Sequence, residues 1–363
     1  MKIKEVIACL EDFATPHLQE DYDNAGLLIG GRDEECTGII ASLDVTENVI
    51  DEAVRKKCNL VVAHHPIIFR GLKRLTGANY VERTVIAAIR KNIAVYAIHT
   101  NLDNVIDGVN KKIAEKIGLK NLRVLQPKKN ILKKMVAFAP LKHAEAVRDA
   151  LFTAGGKLGT YSECSFNAEG TGTFKAEEGA DPYVGEIGKR HEEKETRIEV
   201  IFQIHQQTEI VKALKEAHPY EEVAFDVYPL DTTLNQFGSG MIGELAAPIT
   251  EKQLLSDLKN NFHLSSIRHT QFLDKQISKV AVCGGAGSFL IHSARAAGAQ
   301  AFITSDIKYH EFFDADSEIL VADIGHFESE QFTTDLLADI LKDKFHNFAV
   351  LKTEIATNPV NYF

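Results

Sequence analysis

Short apolar runs alternate with amphipathic stretches over roughly the first third of the chain. The runs at 38–44, 59–65 and 93–100 are typical of buried strands, and the stretches at 45–58 and 80–92 have the periodicity of helices. This alternation predicts a mostly parallel sheet with helices on its faces. Functional sites in such sheets form at the carboxyl ends of the strands.

The same plan recurs from about residue 241. Residues 38–50 align with 279–291, and the alignment continues without a gap through the next strand pattern. In each half the third strand pattern ends in a histidine followed four residues later by a carboxylate, namely His99 and Asp103, and His326 and Glu330. The identities are few, so chance similarity is the alternative, but the shared order of strands and polar ends favours two related lobes.

The segment between the halves has a different pattern. Its strand-like and helical stretches follow the order β-α-β-β-α-β, which is the ferredoxin-like arrangement. The predicted fold class is therefore α/β, with two related lobes forming one domain and a ferredoxin-like α+β domain inserted between them. The predicted boundaries are 1–126 for the first lobe, 127–238 for the insert and 239–363 for the second lobe.

Charge and composition narrow the function classes. The chain has 363 residues and a formal net charge of −10, so it has no general attraction for nucleic acid or for an anionic membrane. No apolar run reaches the roughly 20 residues of a membrane span, and the N-terminus lacks the pattern of a signal peptide. Five scattered cysteines are typical of reduced thiols. These features predict a cytoplasmic protein.

Three motifs carry possible ligands, and each has a simpler explanation when taken alone. Adjacent strand residues point to opposite faces, so His64 and His65 suit two neighbouring ions better than one. Taken alone, the pair is better explained as two hydrogen-bonded histidines at a strand end. His326 and Glu330 share a face of a predicted helix, or mark an exposed helix start with a favourable glutamate. Asp103 is a third ligand candidate or a helix cap.

The combination indicates a metal site at one sheet edge, with His64, His65, Asp103, His326 and Glu330 as ligands. Three imidazoles and two carboxylates suit Zn, Fe, Mn or Co better than Ca or Mg. Five ligands exceed one tetrahedral zinc and fit two divalent ions with a carboxylate bridge. His99, Asp306 and His310 are candidate partners of the ligands, with His99 and His310 as proton shuttles. The glycines at 283–288 either receive an anion on backbone N–H groups or allow tight packing.

Motifs in both outer lobes resemble one known family. The stretches are DYDNAGLLIG (21–30), AHHPIIF (63–69), HTNLD (99–103), TSDIKYHE (304–311) and DIGHFESE (323–330), and they resemble the GTP cyclohydrolase 1 type 2 homologue family, also called the NIF-three-like family. The resemblance implies a dinuclear metal centre with the same five ligands and a homohexamer built as a trimer of dimers. It also implies that the insert is similar to PII and CutA proteins, most specifically at 218–230.

Two functions follow as hypotheses. The first is a metal-dependent hydrolase of a small anionic substrate, with nucleotides such as GTP among the candidates. In this hypothesis a metal-activated water attacks a purine carbon or a phosphoester. The second is a non-enzymatic metal-handling or regulatory ring, in which the insert senses an effector; this rests on fold analogy alone.

Overall fold

A computed structural model describes residues 1–156, 159 and 161–363. Its contacts divide the chain into two compact units. The first unit combines Met1–Pro127 with Asn235–Phe363, and the second is Lys128–Leu234. In the described part of the chain, no helix has both the length and the apolar character needed to cross a bilayer.

The first outer segment contains five strands and five α-helices. In chain order these are α1 (Ile3–Phe13), β1 (Gly26–Ile29), β2 (Ile39–Ser42), α2 (Glu47–Arg55), β3 (Leu60–Ala63), α3 (Tyr80–Arg90), β4 (Ala94–Ala97), α4 (Thr100–Asp103), α5 (Val109–Ile117) and β5 (Lys120–Pro127). Every residue of β2, β3 and β4 is buried, as their apolar sequences predict. The side chains of Thr46 and Asn79 accept hydrogen bonds from the first turns of α2 and α3, which fixes where those helices begin.

The middle segment forms its own antiparallel sheet with two helices. Its elements are β6 (Leu132–Pro140), α6 (Ala144–Thr153), β7 (Ser165–Lys175), β8 (Arg190–Gln203), α7 (Gln207–Ala217) and β9 (Phe225–Leu230). The strands pair in the order β7-β8-β6-β9, with every neighbouring pair antiparallel. Apolar side chains from both helices and from β6 and β8 form a separate core in this unit.

The last segment returns to strand and helix alternation. Its elements are β10 (Gly238–Thr250), α8 (Glu251–Asn261), β11 (Arg268–His269), β12 (Gln276–Ala286), α9 (Ile291–Ala296), β13 (Ala301–Ser305), β14 (Leu320–Asp323), α10 (His326–Glu330), α11 (Thr333–Lys344) and β15 (Val350–Lys352). A 3₁₀ helix at Tyr309–Ala315 lies between β13 and β14.

The two sheets of the first unit repeat one arrangement. The first has the order β1-β4-β3-β2-β15 and the second β11-β14-β13-β12-β10-β5. Three parallel strands form the centre of each, β2, β3 and β4 in one and β12, β13 and β14 in the other. A short antiparallel strand, β1 or β11, lies beside the third strand in each sheet. This shared order agrees with the repeat predicted from the sequence.

The two outer segments exchange strands at the edges of their sheets. Strand β5 comes from the first outer segment but pairs with β10 in the second sheet. Strand β15 comes from the last segment but pairs with β2 in the first sheet. The periodicity of a strand shows which side chains are buried but not which strand it pairs with, so the sequence pattern could not show this exchange.

One apolar core joins the two sheets. It combines inward-facing residues of both sheets with residues from α1, α5, α8 and α11. Separate clusters cover the outer faces, with α2 and α3 on the first sheet and α9 on the second. Because both sheets pack on the same core, the carboxyl ends of their parallel strands can contribute side chains to one site.

Candidate metal centre

The five predicted ligands all follow parallel strands at their carboxyl ends. His64 and His65 come directly after β3, and Asp103 ends the single turn of α4 after β4. His326 and Glu330 are the first and last residues of α10, which follows β14. The structure brings these side chains from both sheets together, as the strand-end argument predicts.

Glu330 lies at the centre of the group. Its Oε2 atom is 2.9 Å from His65 Nε2 and 3.1 Å from His326 Nε2. Its Oε1 atom is 3.9 Å from His64 Nε2, which in turn is 3.6 Å from Asp103 Oδ1. The two oxygens of one carboxylate therefore face two different sets of ligand atoms.

Within the part of the chain that the structure describes, three combinations of side chains have the spacing of a metal site. In each, the ligand atoms lie within 4.8 Å of one another, and the combinations are His65, His326 and Glu330; His64, Asp103 and Glu330; and His64, His65 and His99. The first two share Glu330 and between them use all five predicted ligands. His65 Nε2 and His326 Nε2 are only 3.3 Å apart, so both nitrogens point to the same place.

Two buried polar atoms in this cluster show whether its residues fit a metal ion. His64 Nε2 and Asp103 Oδ1 are buried and have no hydrogen-bond partner among the described residues, although 24% of the Asp103 side chain is exposed. Such atoms usually cost about 1–3 kcal/mol each when they are left without a partner. Burial lowers the pKa of His64 to about 3, so its imidazole is neutral and offers a lone pair. A cation between the two atoms satisfies both, and the residues therefore fit a metal ion.

The remaining ring nitrogens hold the histidines in position. Each Nδ1 atom lies within hydrogen-bond distance of a fixed oxygen: His64 with the Ile98 carbonyl (2.8 Å), His65 with Asp44 (2.8 Å), His326 with Asp306 (2.6 Å) and His99 with Asp23 (2.7 Å). A histidine that donates from Nδ1 to a carboxylate or carbonyl presents Nε2 for ligation, which is the usual arrangement around protein-bound metals.

Protons compensate the buried charge of Glu330 when no metal is bound. Burial disfavours charge on His65, but its hydrogen bonds with Asp44 and Glu330 outweigh this effect and raise its pKa to about 9. The same competition raises the pKa of His326 to about 11. Burial opposes the charge on Glu330 too, yet these two rings hold its pKa well below the usual range. Because a metal must displace these protons, metal affinity should fall as the pH is lowered.

The glycines at the end of β12 leave room for the Glu330 side chain. Gly285 has φ +59°, and a Cβ atom there would lie 2.6 Å from Glu330 Oε1. The backbone N–H of Gly284 donates to Asn110 Oδ1 and that of Gly285 to Ser329 Oγ. These amides are already used within the protein, so close packing explains the glycines better than an anion cradle.

The two predicted proton shuttles lie in different environments. The His99 ring lies 5.2 Å from the His64 ring, centroid to centroid, and is held by Asp23. His310 is exposed on the 3₁₀ helix, where its ring contacts Tyr309 and Phe313. His310 belongs to none of the three groups of described residues whose spacing suits a metal ion.

Two orienting carboxylates were not assigned from the sequence. Asp23, which holds His99, also accepts from the backbone and hydroxyl of Thr100. Its only sequence signal is its place in the 21–30 motif. Asp44 follows a strand in the same way as the ligands, but the sequence alone does not show that it holds a ligand histidine. The Thr357 hydroxyl, from the C-terminal tail, donates to Asp44 Oδ2 at 2.6 Å.

The fold that holds these candidate metal ligands is shared with known proteins. The family model described as Duf34/NIF3 (NGG1p interacting factor 3) matches residues 1–359. The chain belongs to the Duf34/NIF3 family. Its resemblance to NIF-three-like proteins in the sequence motifs is thereby confirmed at the level of the family.

Similar proteins span the whole Duf34/NIF3 chain. A Bacillus subtilis protein named GTP cyclohydrolase 1 type 2 homolog is 36% identical over 365 residues, which cover 99% of this chain and 98% of that protein. A protein of the same name from Halalkalibacterium halodurans is 38% identical, with 98% of each chain covered. The crystal structure of a Bacillus cereus protein related to NIF3 has a TM-score of 0.82 at 36% identity, covering 100% of this chain and 99% of that one.

Proposed function

We propose that this protein holds two divalent metal ions and hydrolyses a small anionic substrate. The observation that carries the proposal is the placement of Glu330, whose Oε2 faces His65 and His326 while Oε1 faces His64. Asp103 completes the second set through its contact with His64. Each set supplies three protein ligands, and an ion held by them would have positions left for water and substrate, as hydrolytic metal sites require.

The donor set selects the metals and the chemistry. Three imidazoles and two carboxylates suit Zn, Fe, Mn or Co. Such ions, when bound, lower the pKa of a coordinated water and neutralise charge that develops on the substrate. The protein contributes by holding the imidazole rings through their Nδ1 atoms and by excluding water around Glu330, which is only 3% exposed.

His99 is the proposed proton carrier. It lies partly buried beside His64 and His65, and the Asp23 carboxylate fixes its Nδ1. A ring held in this way can present Nε2 to a reacting group and pass a proton on. His310 remains the second candidate, and its exposure on the surface makes it the weaker one.

The rim beside His99 suits an anion with a flat ring. The Phe69 ring lies 6.2 Å from the His99 ring and 6.4 Å from the Tyr22 ring, and both aromatic side chains are partly or largely exposed. Arg70, Lys73 and Arg74 follow in the same loop and are exposed, with no ion pair to any other described residue. Aromatic faces and positive charge together favour a nucleotide-like substrate.

Turnover by protein of known metal content tests this proposal. Wild type loaded with Zn or Mn should hydrolyse at least one member of a panel of nucleotides and phosphoesters. His99→Gln should reduce kcat by about 100-fold or more, because positioned acid–base groups contribute on that scale. His310→Gln and the surface control His292→Gln should stay near the wild-type rate. A loss in His310→Gln alone would move the shuttle role to His310, and no turnover on the whole panel would count against a hydrolase.

Asp44 offers a test of metal binding that does not depend on turnover. Asp44→Asn removes the negative charge that orients His65 and should weaken metal affinity by about 10- to 100-fold. Competition with a chromogenic chelator measures this. Asp51→Asn is a matched control, since Asp51 pairs with Lys91 on the surface and should leave affinity unchanged. Equal affinities in the two variants would contradict the ligand role of His65.

The middle segment supports a second candidate function. We also propose that this segment is an inserted ferredoxin-like domain of the PII and CutA type. The element order β-α-β-β-α-β and the sheet order β7-β8-β6-β9 support this proposal. Under this alternative the protein is a metal-handling or regulatory ring without turnover, and the substrate panel separates the two functions. A homohexamer remains a prediction from the family resemblance, which light scattering would test.

A further inference from the structure

The middle segment has a large cleft on the sheet face that its helices leave open. The cleft has a volume of about 1090 Å³ and is lined by β7, β8, the loop after β7 and residues 220–224. Along β8 the residues that pack against the helices are Ile198, Val200 and Phe202. Glu195 has the opposite parity on the strand, so its side chain lies on the cleft face. This volume is ample for a small organic ligand.

Glu195 is an unusual residue for the floor of such a cleft. It is 8% exposed and forms no ion pair with any basic side chain that the structure describes. Gly172 on β7 makes room for it, since a Cβ atom there would lie 2.1 Å from Glu195 Oε2. Burial raises the pKa of Glu195, which reflects the cost of a carboxylate without a cation.

Three aromatic rings form a wall next to this carboxylate. Tyr220 lies between Phe174 and Tyr183, with ring centroids 5.9 Å and 6.2 Å away. The Tyr220 hydroxyl is buried beside Glu195, yet none of the described residues forms a well-aligned hydrogen bond with it. Tyr183 is 54% exposed and its hydroxyl lies 3.0 Å from His143 Nε2. Aromatic faces of this kind attract cations and pack against alkyl chains.

The charge of the lining favours a cation strongly. Among the described residues, two basic side chains line the cleft, and both already have partners, Arg197 with Glu199 and Lys175 with Glu177. Apart from Glu177, five carboxylates of described residues line it, namely Glu169, Glu178, Glu195, Glu221 and Glu222. The groups of described residues with metal-like spacing all belong to the His64–Glu330 site. The cleft therefore suits charges spread along a carbon chain better than one metal ion.

We propose that this cleft binds a small organic polycation of the polyamine class. One ammonium group pairs with Glu195, the alkyl chain lies against Phe174, Tyr183 and Tyr220, and a second ammonium group meets the outer carboxylates. This assignment goes beyond the proposed hydrolase, because every residue in it lies outside the metal centre.

Calorimetric titration of the full chain with spermidine in 150 mM NaCl tests the proposal. Wild type should bind one molecule per chain. Glu195→Gln should bind at least about tenfold more weakly, because a buried charge-assisted contact is lost. Tyr183→Ala should weaken binding about fivefold, the scale of one cation–π contact, and as an exposed residue it leaves folding intact.

Two controls separate this site from general attraction and from the metal centre. Glu209→Gln removes an exposed carboxylate from α7, outside the cleft lining, and it should bind spermidine like wild type. Glu330→Gln should also bind like wild type, whatever its metal content. Absence of saturable binding below about 1 mM, equal affinity in Glu195→Gln, or complete displacement by 1 mM Mg²⁺ would each overturn the proposal.

Discussion

Glu330→Gln should lower the metal content of the purified protein from two ions per chain to one or none. The amide is neutral and bridges cations poorly, while its carboxylate counterpart faces both ligand sets. Two cations held close together without that charge repel strongly, because Glu330 is 3% exposed and little water screens them. Elemental analysis after loading with Zn or Mn measures the effect.

Glu328→Gln is the matched control for this change. Glu328 lies on the same short helix and accepts a hydrogen bond from Asn358, outside the ligand groups, so this variant should keep two ions. His64→Ala should weaken mainly the set that contains Asp103. A Glu330→Gln protein that keeps two ions with unchanged affinity would contradict the bridging role. The simpler interpretation of Glu330 as an exposed helix start does not fit its burial.

Removing the middle segment should leave a folded protein that still binds metal. All five proposed ligands lie outside Lys128–Leu234, and each unit has its own apolar core. Pro127 and Gly238 are cross-strand partners in the pairing of β5 with β10, so a linker of about five residues can join Pro127 to Asn235. Circular dichroism, thermal melting and metal analysis of the shortened chain test this expectation.

A second deletion with slightly different ends is the control for this experiment. Phe237 packs against the main core, and the backbone of Gln236 accepts from Ile106. A deletion of 127–238, the boundaries predicted from the sequence, removes these contacts and should melt at a clearly lower temperature than a deletion of 128–234. Aggregation or loss of metal in the 128–234 deletion would contradict an independent insert.

The ligands could be found from the sequence because their signals are local. Each follows an apolar strand pattern, and parallel strands deliver their carboxyl ends to one edge. His64, His65 and the His326–Glu330 pair were therefore predictable as members of one cluster. Each motif taken alone has a simpler explanation, because no single motif shows that two sheets contribute to one site. The metal-ligand role becomes the better explanation only when the motifs are considered together.

The orienting contacts could not be found in the same way. Asp44 meets His65 across 21 positions of the chain, and Thr357 meets Asp44 across 313. The Asp44 contact depends on the pairing of β2 with β3. The Thr357 contact depends on β15 joining the first sheet, which leads the C-terminal tail back past Asp44. Strand pairing of this range is set by the packed core, and no periodicity in the sequence records it. The cleft around Glu195 was missed for the same reason, since its lining comes from three separate parts of the middle segment.

The most direct test of the two-metal centre is diffraction from crystals of the Zn- or Mn-loaded protein at the absorption edge of the metal. Two anomalous peaks should lie on either side of the Glu330 carboxylate, about 3.5–4 Å apart as in other two-metal sites. One peak should adjoin His65 and His326, and the other His64 and Asp103. A single peak among these side chains, or no peak near Glu330, would contradict the account.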